Sequence, residues 1–217
     1  MKIFRYLSLI TLLLSAYLSA DVKVLALDFG GVVLLKDTKQ ERIFLKKSLE
    51  LSEFELEESL VNLKRFIKEG GDEEEFWESI AFEKQISLPE DWIENLEQIQ
   101  QASYRLNEGL LEKSKALKEK GIKLVLMSNM NETYEQQAKD SGYLEAFDDL
   151  IFSYQLHAKK PQKEFFKKAL EHLNIDAKDC VFFDDKQNNV DKAKDEGMQA
   201  YWYYNLEDFN KIVDSLI

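Results

Sequence analysis

Five short, mostly apolar runs set the pattern of this sequence: Val22 to Leu27, Ile122 to Met127, Leu150 to Phe152, Cys180 to Phe183 and Gln199 to Tyr203. Near-continuous apolar character over so few residues is what strands buried on both faces require. Segments with helical spacing separate the last four runs. The helix expected over Leu110 to Lys120 stops at Gly121, the one beginning near Asn131 stops at Gly142, and the one after Val190 stops at Gly197. A glycine just past a last helical turn closes it. Strand and helix in alternation predict an α/β fold, a doubly wound, Rossmann-like parallel sheet.

One stretch breaks the alternation. From Thr38 to Ala102 no convincing strand appears, while Leu56, Leu60, Leu63 and Ile67 share one helical face and Trp92, Ile93, Leu96 and Ile99 another. This predicts an inserted bundle of helices. Gly70 and Gly71 interrupt it, and Asp72 with Glu75 restarts a helix in the manner of a capping box. The expected organisation is an α/β core over residues 21–37 and 103–217 with a helical cap over 38–102. Trp77, Trp92 and Trp202 read as packing residues, and a cap aromatic has the alternative of lining a substrate pocket.

At the N-terminus, Lys2 and Arg5 precede an apolar stretch from Tyr6 to Leu18 and then Ser19-Ala20-Asp21. Residues 1–20 read as a secretory signal cleaved after Ala20, which predicts an exported, periplasmic or secreted, protein. An uncleaved membrane anchor and a cytoplasmic protein are the alternatives. The formal charge is −12, and loss of Lys2 and Arg5 takes it to −14. So acidic a surface repels nucleic acid and anionic membranes. Cys180, the single cysteine, lies inside an apolar run and reads as a buried hydrophobe, and no intramolecular disulfide is possible. His157 and His172 lack a second ligand at zinc spacing.

In open α/β sheets, ligands bind beyond the carboxyl ends of the strands. There the sequence places Asp28-Phe29-Gly30-Gly31-Val32, then Ser128-Asn129, then Lys159-Lys160-Pro161 after the third run, then Asp184-Asp185 followed by Asn188-Asn189. Carboxylates from neighbouring strand ends hold a hard divalent cation such as magnesium, and a lysine with a hydroxyl neutralises phosphate oxygens. Two adjacent aspartates directly after three large apolar residues face a partly buried space in which charge needs a counter-ion. A lone aspartate at a strand end more often caps a turn. Ser128-Asn129 also reads as a helix start.

In order and in strand context, Asp-Phe-Gly-Gly-Val, Met-Ser-Asn, Lys-Lys-Pro and Phe-Phe-Asp-Asp-Lys-Gln-Asn-Asn resemble the four motifs of the haloacid dehalogenase-like hydrolases, from Val22 to Ile217. The resemblance is to the subgroup with a helical cap, which includes bacterial sugar-phosphate phosphatases and the amino-terminal phosphatase domain of soluble epoxide hydrolase. It implies that Asp28 is a nucleophile and a magnesium ligand, with Asp185 and the Gly30 backbone carbonyl as further ligands. Asp184 and Asn189 would support that metal site, Ser128 and Asn129 would bind phosphate, and Lys160 would hold both phosphate and nucleophile. The implied reaction is removal of phosphate from a small phosphomonoester through an aspartyl-phosphate, with a cap that chooses the substrate and closes over the site.

Gly30 departs from the family pattern, in which the residue two after the nucleophile is an aspartate that protonates the leaving group. General acid catalysis contributes roughly 10²- to 10⁴-fold. The expectation is a slow enzyme, or one selective for a good leaving group such as an anomeric phosphate. Two other readings compete: a haloacid dehalogenase, disfavoured by the Asp184-Asp185 pair because those enzymes work without metal, and a non-catalytic binding protein that keeps the fold.

Overall fold

The structure, a computed structural model, describes residues 22–216; the expected signal over residues 1–20 lies outside them. Among the described residues no helix is long and apolar enough to cross a membrane. The chain divides into two compact units, one of residues 22–35 and 106–216 and the other of residues 36–105.

The first unit holds a five-stranded sheet in the order β5-β4-β1-β6-β7. Its strands are β1 (Val24–Leu27), β4 (Lys123–Ser128), β5 (Asp149–Phe152), β6 (Cys180–Asp184) and β7 (Gln199–Trp202). Every pairing is parallel. The helices are α5 (Glu108–Lys118), α6 (Glu132–Asp140), α7 (Ser153–Leu156), α8 (Lys163–Leu173), α9 (Gln187–Asp195) and α10 (Leu206–Leu216). Strand side chains alternate between two buried layers. Leu25, Leu27, Val181 and Phe183 pack with Phe209 and Val213 of α10, whereas Val24, Ala26, Cys180 and Phe182 pack with Phe165 and Phe166 of α8. Burial on both faces is why these runs lack polar alternation. Gly121, Gly142 and Gly197, with φ of +89°, +71° and +89°, follow α5, α6 and α9 as expected.

The second unit has a core of its own around Leu45, Leu49, Leu56, Trp77, Trp92 and Leu96. It contains α1 (Lys39–Ser48), α2 (Glu53–Lys68), α3 (Glu73–Glu83) and α4 (Trp92–Ala102). The apolar stripe of α2 buries Leu56 and partly buries Leu60 and Leu63, but Ile67 is exposed. Asp72 caps α3 by accepting from the Glu74 and Glu75 N–H groups, while the reciprocal capping box sits at Ser52 and Glu55 instead. Two strands went unseen in the sequence: β2 (Leu34–Lys36) and β3 (Tyr104–Leu106) pair in a two-stranded sheet. They lie where the chain passes between the units. On the side of the first unit, buried Asn107 donates to Val32 O at 3.0 Å and to the Tyr203 hydroxyl at 2.6 Å.

Two further expectations are corrected. Ser128-Asn129 does not start a helix, because Asn131 is the N-cap of α6 and accepts from the Tyr134 N–H. Trp202 is not a buried packing residue: it is 48% exposed, although Trp77 and Trp92 are buried.

Candidate active site

Register decides what converges. Leu27 pairs with Leu126 on one side and Phe183 on the other, so Asp28 stands level with Met127 and Asp184 at the carboxyl edge of the sheet. β4 and β6 flank β1 on opposite sides, which makes β1 the point where strand order reverses and a crevice opens. Asp28 continues the ladder, donating its N–H to Phe183 O at 2.9 Å.

Lys160 is the hub. Its ammonium donates to Asp28 Oδ1, to Met127 O and to Asp184 Oδ2, each at 2.7 Å. An ammonium has three N–H bonds, and here each has an acceptor. The side chain is 1% exposed, so removing it would strand buried carboxylates. Asn129 fixes the main chain that carries this lysine: its Oδ1 accepts from the Lys160 N–H at 2.8 Å and its Nδ2 donates to Lys160 O at 2.9 Å. The Asn129 carboxamide is thus engaged in holding the Lys160 loop. Ser128 ends β4 and is buried.

The adjacent aspartates have different surroundings. Asp184 is fully buried; its oxygens accept from Lys160, from Asn189 Nδ2 at 2.9 Å to each oxygen, and from the Lys186 N–H at 2.9 Å. Asp185 has no such set. Its Oδ1 is buried without a hydrogen-bond partner, and burial, reinforced by the charges of Asp28 and Asp184, pushes its carboxyl up from the ordinary value. Gly31, with φ of +83°, approaches so closely that a Cβ there would lie 2.6 Å from Asp185 Oδ2. Any side chain at that position would displace the carboxylate.

Oxygens of Asp28, Asp184 and Asp185 lie within 4.8 Å of one another. Three carboxylates against one ammonium leave a charge deficit that buried groups do not tolerate unpaired. The donor set is all oxygen, and one oxygen lacks a partner, so the residues fit a hard divalent cation. Beside them a pocket of about 440 Å³ is lined by Asn129, Lys160 and residues 186–189. Gly30 is exposed, and a Cβ built on it would meet nothing within 4 Å. Sequence reasoning missed Trp202, whose indole Nε1 donates to Asp185 O at 2.8 Å, and the backbone groups Met127 O and Lys186 N–H. Cys180 is buried with its thiol pushed up by burial, as the apolar run implied.

Comparison with known proteins places the chain in a family. The chain is 30% identical over 97 residues to a phosphorylated carbohydrates phosphatase of Thermotoga maritima, covering 44% of this chain and 45% of that one. It is 30% identical over 119 residues to the rat bifunctional epoxide hydrolase 2, covering 52% and 21%. The chain spans about half or less of the length of the curated relatives it matches. An HAD family enzyme of Bacteroides thetaiotaomicron shares the fold at 21% identity and a TM-score of 0.60, over 88% of this chain and 98% of that one, and has also been solved with magnesium and inorganic phosphate. The family model for haloacid dehalogenase-like hydrolases matches residues 22–197, and the chain belongs to that family.

Proposed function

We propose that the protein is a magnesium-dependent phosphatase that removes phosphate from a small phosphomonoester through an aspartyl-phosphate on Asp28. The observation that carries this reading is the clustering of Asp28, Asp184 and Asp185 oxygens within 4.8 Å of one another, the first two held by Lys160 and Asp185 Oδ1 left partnerless. Asp28, Asp185 and the Gly30 carbonyl would hold the magnesium, which when bound would supply positive charge against the phosphate oxygens. Asp184 and Asn189 support that site from behind.

In this reading a carboxylate oxygen of Asp28 attacks phosphorus, and the bond from phosphorus to the leaving-group oxygen breaks. Water then attacks the same phosphorus, breaking its bond to Asp28 and restoring the carboxylate. Lys160, already donating to Asp28, orients the nucleophile and adds charge near the phosphate. Ser128 and the Asn129 turn complete the phosphate pocket. No side chain at position 30 supplies a proton, which restricts the enzyme to leaving groups that depart as weak bases. We assign substrate choice to the helical cap of residues 38–102, and export to the signal of residues 1–20.

The test is phosphate release from an activated aryl phosphate with and without magnesium, in wild type and Asp28→Asn. Magnesium-dependent turnover that disappears in the variant supports the reading. Gly30 favours one second reading, a binding protein with lost chemistry. Calorimetric magnesium and phosphate binding without turnover across a broad substrate panel would establish that alternative and overturn the first.

A further inference from the structure

We infer that Trp202 is a positioning residue for the cation site, setting magnesium affinity by locking the peptide that follows Asp185. The inference rests on the reading of Asp185 as a cation ligand.

The ladder between β6 and β7 ends at the pair Asp184 and Trp202. Asp185 lies one residue beyond it, where no strand hydrogen bond reaches. Its carbonyl is held instead by a side chain, the Trp202 indole N–H at 2.8 Å. That carbonyl and the Lys186 N–H belong to one peptide unit, which is planar and rotates as a single body. The Lys186 N–H donates to Asp184 Oδ1 at 2.9 Å. One rigid plane is therefore pinned at both edges, by an indole on one side and a buried carboxylate on the other. Its orientation fixes where the Asp185 side chain points.

Nothing else on the side chain does this job. Asp184 is gripped by Lys160, Asn189 and Lys186, and Asp28 by Lys160, whereas Asp185 Oδ1 is buried with no partner. The carboxylate itself has the Gly31 backbone packed so close that a Cβ there would meet it, and it feels the charges of Asp28, Asp184, Lys160 and Lys186 without a hydrogen bond from them. A ligand oxygen that is aimed but unbonded is what an incoming cation needs, and aiming it before binding removes an ordering cost. Trp202 is 48% exposed and contacts Tyr204 at a ring distance of 5.3 Å, so its packing role is modest. Phenylalanine would keep that ring contact and lose the N–H.

Calorimetric titration of magnesium into wild type and Trp202→Phe, with chelator-treated thermal melts of both, tests this. Loss of a partner behind a metal ligand typically weakens metal affinity 10- to 100-fold, and for a half-exposed bond the expected effect is about tenfold. The kcat at saturating magnesium and the melting temperature in chelator stay within about twofold and about 2 °C, because chemistry and core are untouched. Affinity within twofold of wild type overturns the role of Trp202. A wild type that binds no magnesium overturns the cation reading together with it. Should the variant fold poorly, the unmutated protein serves: one of its three indole N–H resonances shifts on magnesium titration and saturates with the calorimetric constant. Absence of any shift in the three counts against the inference.

Discussion

Placing an acid at position 30 would test whether a leaving-group proton is what this site lacks. Gly30 is exposed, is not among the positive-φ glycines, and has open space where a Cβ would stand. Gly30→Asp should therefore fold, with a stability change within about 1 kcal/mol, since a side chain at a compatible backbone position also restricts the unfolded chain. A positioned general acid is worth roughly 10²- to 10⁴-fold, which is about 2.7 to 5.4 kcal/mol of barrier at 1.36 kcal/mol per decade. That gain applies only where the departing oxygen needs a proton. The assay is kcat/KM for a series of phosphomonoesters running from nitrophenyl through phenyl to alkyl esters, at saturating magnesium. Wild-type rates should fall steeply as the leaving group becomes more basic. In the variant the nitrophenyl ester should change less than about threefold, while alkyl esters gain on the order of 10²-fold or more, flattening the series. A folded, magnesium-binding variant that accelerates every ester equally, or none, refutes the idea that the missing proton belongs at Gly30.

Lys160→Met leaves Asp28 and Asp184 as uncompensated buried charges, which should cost about 3–5 kcal/mol; for a chain of this size the melting temperature should drop on the order of 10 °C, as calorimetry can read. Asp185→Asn should do the reverse in chelator while abolishing magnesium binding. The folded Asp185 carboxyl holds its proton above the ordinary value of 3.8, so ionising it opposes folding once pH rises past that value, and the penalty is complete above the raised folded value. Its partial exposure limits the gain near neutrality to about 1 kcal/mol, a rise of a few degrees that should vanish as pH falls to about 4. Ser52→Ala breaks the capping box at the start of α2 and should lower stability by about 1 kcal/mol, with the pH profile of the proposed phosphate release unchanged.

Most of the sheet was legible because a doubly buried strand has one sequence signature. Cys180 to Phe183 has no alternative to the interior, and the charged residues following it must lie at an edge. Strand ends were displaced by one or two residues, since a ladder stops where its partner stops and not where hydrophobicity does: β1 begins at Val24 instead of Val22, and β6 runs on to Asp184. β2 and β3 were illegible for the opposite reason. Leu34-Leu35-Lys36 and Tyr104-Arg105-Leu106 are too short to show a period, and only their pairing makes them strands. The helix start near Asn131 was placed correctly, while Ser128-Asn129 also read as a start because Ser and Asn are competent caps and the sequence does not say which has a free N–H three residues on.

The candidate site divides along a similar line. The buried charge of Asp184 and Asp185 demanded explanation from sequence alone, and Asp28 and Lys160 could be picked out from the order of the four motifs; groups that every residue carries could not. Met127 O and the Lys186 N–H are backbone atoms, and Trp202 acts through an indole N–H on a backbone carbonyl. Nor does the dipeptide Asp184-Asp185 disclose which aspartate is immobilised and which is left open. Hydrogen bonding decides it: donors from Lys160, Asn189 and Lys186 saturate Asp184 and turn it into structure, while one partnerless buried oxygen makes Asp185 the costly member of the pair. A cation bound between that oxygen and the two neighbouring carboxylates would offset the cost of burying them by stabilising the folded state.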